Sequence, residues 1–456
     1  MAEMTRKIPK RILSGLLSSI SAGVVPRMGA PYIAIGRGEE IEALLSDLEA
    51  VNDGGGTMRF IIGKYGSGKS FLIQLVRGFS LERGFITADA DLSPERRICG
   101  AKGTGIATYR ELIRNLASKS SPDGGALAQI IAKWLSDLQS TVAADGHEIG
   151  SDTFMRQLTS CIYSQTRELE AQIGGFDFAT VLTQYYKAYM DGDEEKKSAC
   201  MRWLRGEYST KTEARNAIGV SLGGIIDDDN WYEYIKLLAV FFRKIGYRGF
   251  VVFIDECVNL YKIANRISRE NNYEKLLSMF NDTLQGKAEG LALIFGGTPQ
   301  FLEDTRRGLF SYEALRSRLS DGQFQKDGFK NLIGPVIRLR RLSDDELYAL
   351  IARITGLHAQ NYSWEPRVTN EDMLTFLKTC LDRAGADTMI TPREIIRDYI
   401  TVLNILLQNP DTNFTDVVGS GVVKLSHGED EENAIIVDEG GRPQIKTDFT
   451  AEDIEL

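Results

Sequence analysis

The stretch that decides the fold is residues 57–71: Thr57-Met-Arg-Phe-Ile-Ile-Gly63-Lys64-Tyr65-Gly66-Ser67-Gly68-Lys69-Ser70-Phe71. An apolar run leads into GxxxxGK[ST], and the apolar-periodic Phe71-Leu-Ile-Gln-Leu-Val76 follows. This is the strand–loop–helix order that a P-loop requires. Glycines at 63, 66 and 68 let the backbone wrap tightly, so that consecutive N–H groups and a helix N-terminus face phosphate oxygens. Lys69 then reaches the β- and γ-phosphates, and the Ser70 hydroxyl is placed to ligate Mg²⁺. All of Gly63, Lys64, Tyr65, Gly66, Ser67, Gly68, Lys69, Ser70 and Phe71 are therefore candidate nucleotide-binding residues.

Outward from this loop the bulk composition narrows the classes. The 456 residues are 43% hydrophobic and 26% charged, ordinary for a globular protein. No apolar run approaches the ~20 residues that span a bilayer, so no membrane association is expected. The basic start, Met1 to Arg11, is not followed by a long apolar region, so no signal peptide is read. Five cysteines lack CxxC spacing, which fits a reducing cytoplasm. Three separated histidines give no His-based metal site. The net charge of −9 sits mostly in the tail: from His427 onward ten acidic residues face two basic ones, leaving 52 basic against 53 acidic elsewhere. DNA contact stays open, but no global basic excess points to it.

Along the chain, residues 1–35 read as a helical lead and a segment bordering the nucleotide. Residues 36–103 form the first part of an α/β core. Residues 104–230 read as helical throughout, an insertion in which specificity is expected to reside. Core elements resume over 231–342, a helical lid follows over 343–408, and an acidic tail runs over 409–456. The strands Met58–Ile62, Gly84–Ala88, Gly249–Ile254, Leu291–Phe295 and Val336–Leu339 are apolar runs, as parallel strands covered on both faces should be. The fold expected is thus α/β, with a five-stranded, mainly parallel sheet.

Phosphate chemistry needs a carboxylate at a neighbouring strand end. Phe250-Val-Val-Phe-Ile-Asp255-Glu256 supplies one. Asp255 is the expected Mg²⁺ partner, and Glu256 is placed to polarise an attacking water. Thr298, in Phe295-Gly-Gly-Thr298-Pro, is placed near the γ-phosphate, with a simple turn as the competing reading. Arg316 and Arg318, in Leu-Arg-Ser-Arg-Leu, are alternative arginine fingers acting in trans, which would require a homo-oligomer; solvated surface arginine is the competing reading.

The ordered set resembles AAA+ ATPases of the origin-recognition and STAND-like branch: Gly36-Arg37 with its Glu-rich helix, the Walker A and B motifs, Leu-Arg-Ser-Arg-Leu, and a helical lid. That resemblance implies a sensor-2 role for Arg393 in Thr391-Pro-Arg393-Glu, and an adenine site beside Ile35, Gly36 and Arg37. A closer similarity is to the ATP-binding proteins of BREX-type phage-defence islands. It is carried by Asp91-Leu-Ser-Pro-Glu95, Tyr109-Arg-Glu-Leu-Ile-Arg-Asn-Leu116, Trp203-Leu-Arg-Gly-Glu207 and Gly296-Gly-Thr-Pro299. It implies an ATPase using ATP and Mg²⁺ beside a helicase or other DNA-processing partner. A loader or scaffold that binds ATP and barely turns it over is the alternative. A P-loop kinase fits less well, because no acceptor pocket can be read.

Overall fold

The computed structural model describes residues 8–419 except 101, 167–168, 170–172, 322–330 and 384–390. The acidic tail beyond 419 lies outside the described residues. Helices α1 (Lys10–Ser21) and α2 (Gly38–Asn52) precede β1 (Thr57–Ile62), and α3 (Lys69–Glu82) leads to β2 (Ile86–Asp91). Next come α4 (Thr104–Arg114), α5 (Leu127–Ala144), α6 (Asp152–Thr166), α7 (Gly175–Asp191), α8 (Glu194–Leu204), α9 (Lys211–Ile218) and α10 (Trp231–Lys244). β3 (Phe250–Asp255), α11 (Val258–Tyr261), α12 (Arg266–Leu284), β4 (Leu291–Gly297), α13 (Pro299–Glu303), α14 (Glu313–Leu319) and β5 (Val336–Arg338) complete the sheet region. The chain then forms α15 (Asp344–Tyr362), α16 (Asn370–Arg383), α17 (Pro392–Gln408) and α18 (Phe414–Gly419).

The sheet order is β2-β3-β4-β1-β5. Every adjacent pair is parallel, so the sheet expected to be mainly parallel is wholly so. Side-chain alternation divides each strand between two cores. Ile61, Val251, Phe253 and Ile294 pack under α2 and α3 with Leu44, Leu48, Leu72 and Val76. Phe60, Ile62, Phe250, Val252, Ile254 and Phe295 belong to the opposite core, which also holds Tyr109 of α4, Trp203 of α8 and Trp231 of α10. The helices between β2 and β3 therefore share a continuous apolar core with the sheet.

Two local readings change. The second strand starts at Ile86 rather than Gly84 because Gly84 adopts a left-handed turn (φ +87°) and Phe85 N–H bonds back to the Ser80 carbonyl at 3.0 Å. The strand accordingly runs on to Asp91, in register with Asp255. The segment after α4 is also not helical: Ala117 bridges to Thr87, and Asn115 Nδ2 donates to the Asp89 carbonyl at 2.9 Å.

The last helices form a separate bundle. Ser343 and Thr391 begin α15 and α17 as capping boxes with Glu346 and Glu394. Into this bundle α1 inserts Leu13, Leu16, Leu17 and Ile20, packing on α15 and α17. The N-terminal helix thus belongs with the C-terminal helices, although more than 300 residues separate them in sequence.

Candidate nucleotide site

β1 delivers the loop and α3 begins at Lys69, with Gly68 (φ +90°) and Gly66 (φ +71°) in backbone conformations that a side chain disfavours. Lys69 Nζ donates to the carbonyls of Gly63 (3.0 Å) and Lys64 (3.2 Å), which holds it across the loop. Burial lowers its pKa, while Asp255 and Glu256 oppose that shift. Gly63 N–H bonds to the Gly297 carbonyl at 3.1 Å and fixes the loop to the end of β4.

Ser70 Oγ donates to Asp255 Oδ2 at 2.7 Å, so the hydroxyl and the carboxylate converge on one point. Gly296 makes room for that carboxylate: a Cβ there would lie 2.2 Å from Asp255 Oδ1. A hydroxyl and one carboxylate, with the remaining positions left to water and phosphate, is the oxygen donor set that Mg²⁺ takes. Ser70 and Asp255 therefore fit the ion. Glu256 follows at φ +56°, a left-handed conformation that costs a non-glycine residue about 1–2 kcal/mol. Its N–H donates to Asp255 Oδ1 at 2.8 Å, which helps to hold that turn. Burial, and then Asp255, push the Glu256 carboxyl above the usual range.

One acidic neighbour escaped the sequence reading. Asp91, surface-exposed at the end of β2, is pushed up to about 6 by partial desolvation of its carboxyl and then by Asp255 and Glu256. The signal available was the alternation Thr87, Asp89, Asp91, which marks a strand running past the apolar stretch.

A cavity lies above the loop. Its polar floor is Tyr65, Gly66, Ser67, Gly68, Lys69 and Ser70, with Phe71, Glu256 and Arg393 beside them. Its apolar part comes from Val24, Val25 and Pro26, from Ile33 and Ile35, and from Leu342, Leu350, Pro392 and Ile396. The polar and apolar parts of the cavity thus come from different parts of the molecule, the sheet core on one side and the α1-plus-C-terminal bundle on the other. Arg393, the second residue of α17, acts electrostatically on both Lys69 and Glu256. Thr391 packs on Gly66, where a Cβ would lie 2.3 Å from Thr391 Cγ2.

The expected site residues therefore separate. Ile35, Arg37, the stretch from Tyr65 to Phe71, Glu256 and Arg393 line one cavity. Gly63, Lys64 and Asp255 stand directly behind it, bonded to Lys69 and Ser70. Gly36 (φ +72°) packs against Glu346 and Leu342. Thr298 is outside the lining and caps α13 by accepting from Phe301 N–H at 3.3 Å. Arg316 and Arg318 are exposed on α14, where Arg316 lies 4.0 Å from Glu313 and Arg318 donates to the Ala314 carbonyl. Neither reaches this chain's own cavity.

The parallel sheet, the glycine-rich loop and the Ser70–Asp255 pair define a P-loop nucleotide-binding protein. More specifically, the chain belongs to the BREX system ATP-binding protein BrxC/D family, whose model matches residues 8–421. Membership gives it an ATP-binding role in phage defence. No curated protein matches the chain. No helix among the described residues is long and apolar enough to cross a membrane.

Proposed function

We propose that the chain hydrolyses ATP and that its nucleotide cycle moves the C-terminal bundle as a lid, changing its grip on a partner in the defence system. The observation that carries this reading is the convergence of Lys69, Glu256 and Arg393 on one cavity, with Asp255 bonded to Ser70 directly behind its floor. The loop amides and Lys69 bind and orient the phosphates. Ser70 and Asp255 would hold Mg²⁺, which would supply neutralisation of the phosphate charge. Glu256 accepts a proton from the attacking water, a role favoured by a carboxyl more basic than usual. Arg393 offsets negative charge from the bundle side. The sheet order, with β4 between β1 and β3, supports the AAA+ assignment.

Arg316 or Arg318 is proposed to complete a neighbouring copy's site, in keeping with their exposure on α14. A helicase or other DNA-processing enzyme is the proposed partner, on the strength of the defence-island resemblance.

Phosphate release by wild type and Glu256→Gln tests the catalytic part. Loss of a general base should slow the reaction by about 10²–10⁴-fold while ATP still binds. Equal rates in the two proteins, with or without DNA, would sink it in favour of the ATP-dependent scaffold.

A further inference from the structure

One buried guanidinium joins the phosphate loop to the start of the C-terminal bundle. Arg37 is only 4% exposed. Its Nη2 donates to the Ser67 carbonyl at 2.8 Å and to the Arg340 carbonyl at 2.9 Å. Nη1 faces Glu40 Oε1 at 3.5 Å. Ser67 lies inside the loop, and Arg340 lies in the short connection from β5 to α15.

Beyond Arg340 the connection is stiff. The Arg340 guanidinium pairs with the Glu346 carboxylate through both of its terminal nitrogens. Glu346 also accepts from Ser343 N–H at 2.8 Å and so closes the cap of α15. The Arg340 hydrogen bond, with Ser343 adding to it, holds the Glu346 carboxyl down at about 2. Glu346 and Leu342 rest directly on Gly36, where a Cβ would fall 2.7 and 2.8 Å from them. The path Ser67–Arg37–Arg340–Glu346–α15 is therefore continuous.

Peptide geometry gives this path an input. The Ser67 carbonyl and the Gly68 N–H belong to one planar trans peptide and point in opposite directions. A phosphate that takes the Gly68 N–H fixes the orientation of the carbonyl that Arg37 holds. The planar, multi-donor guanidinium spans two carbonyls at once, which a lysine ammonium does not do in the same geometry.

We propose that Arg37 is a positioning residue that makes phosphate-loop occupancy and bundle position one event, acting through Arg340 and Glu346. This rests on the reading that nucleotide moves the bundle, and the test separates the two. Backbone amide exchange over 344–362 and 392–408 is measured with ADP and with a slowly hydrolysed ATP analogue, in wild type, Arg37→Lys, Arg37→Gln and Arg340→Ala. Nucleotide affinity is titrated in parallel.

Wild type should gain protection in the first turns of α15 and α17. Whichever Arg37 variant keeps wild-type exchange in its sheet should, once saturated with nucleotide at its own titrated affinity, lose about fivefold or more of that gain. Arg340→Ala, at an exposed side chain, should reduce the gain while leaving affinity within about twofold.

A full response in the Arg37 variants at saturating nucleotide overturns the proposal, because Arg37 is then an ordinary ligand contact. An unchanged response in Arg340→Ala overturns the route through Glu346. A flat wild type overturns the moving bundle itself, and the coupling with it.

Discussion

Gly66→Ala tests whether the C-terminal bundle sits on the phosphate loop when nucleotide is bound. Two costs follow from the structure. Gly66 has φ +71°, which for alanine costs about 1–2 kcal/mol. The new Cβ would also lie 2.3 Å from Thr391 Cγ2 and 2.6 Å from Thr391 Cβ, an overlap that typically costs about 1–3 kcal/mol. A loop that relaxes when free shows both costs as lost affinity, about 2–5 kcal/mol, or roughly 30-fold to several thousand-fold.

Thr391→Gly isolates the second cost. It removes both clashing carbons, and glycine as an N-cap is only a few tenths of a kcal/mol worse than threonine, so this variant alone should bind within about twofold. The double variant should recover the overlap energy but not the backbone strain, leaving a deficit of about 1–2 kcal/mol, or roughly 5–30-fold. Calorimetric titration with ADP and an ATP analogue across the four proteins yields the coupling energy, which should be at least about 1 kcal/mol. Urea unfolding of each nucleotide-free protein captures any strain that stays in the free loop. Additivity within about 0.5 kcal/mol would refute the reasoning, since residues in contact must couple.

Leu16→Ala, at a fully buried position in α1, should destabilise the C-terminal bundle by about 2–5 kcal/mol in urea unfolding; no change would remove α1 from that bundle. Deleting residues 104–228 should unfold the chain rather than spare nucleotide binding, because Tyr109 and Trp203 share one core with Phe250 and Val252; calorimetric binding by a soluble deletion protein would contradict this. His358 is buried, accepts at Nδ1 from Trp364 Nε1–H (3.0 Å) and faces Asn404 Oδ1 through Nε2 (3.0 Å), and burial lowers its pKa below the ordinary 6.5. Its contribution is therefore present above about pH 6.5 and lost as pH falls through the lowered native value. Bundle stability should drop between pH 7.5 and 5.5, and His358→Gln, though less stable throughout, should lose that dependence.

What the sequence discloses is what short-range chemistry dictates. The loop from Gly63 to Ser70 and the Asp255–Glu256 pair are local patterns attached to apolar strands, so the sheet and the neighbourhood of loop and acidic pair could be placed from residues alone. The unread features all depend on what comes close in space. Arg37 stands in the segment that the AAA+ resemblance sets beside adenine, yet the hydrogen bonds of its guanidinium go to carbonyls 30 and 303 residues away, and no periodicity encodes such a pair. Gly66 was explained by loop wrapping, whereas the packed Thr391 gives it a second reason to lack a side chain. α1 was legible as a helical lead, but not that its partners are α15 and α17. Glu256 at positive φ is the sharpest case: glutamate has no preference for that conformation, so only the surrounding turn imposes it. Arg37 and Thr391 join the phosphate loop to its neighbours, and α1 joins the N-terminus to the bundle. The sequence thus marks the loop suited to phosphate, while only the spatial contacts join that loop to the C-terminal bundle.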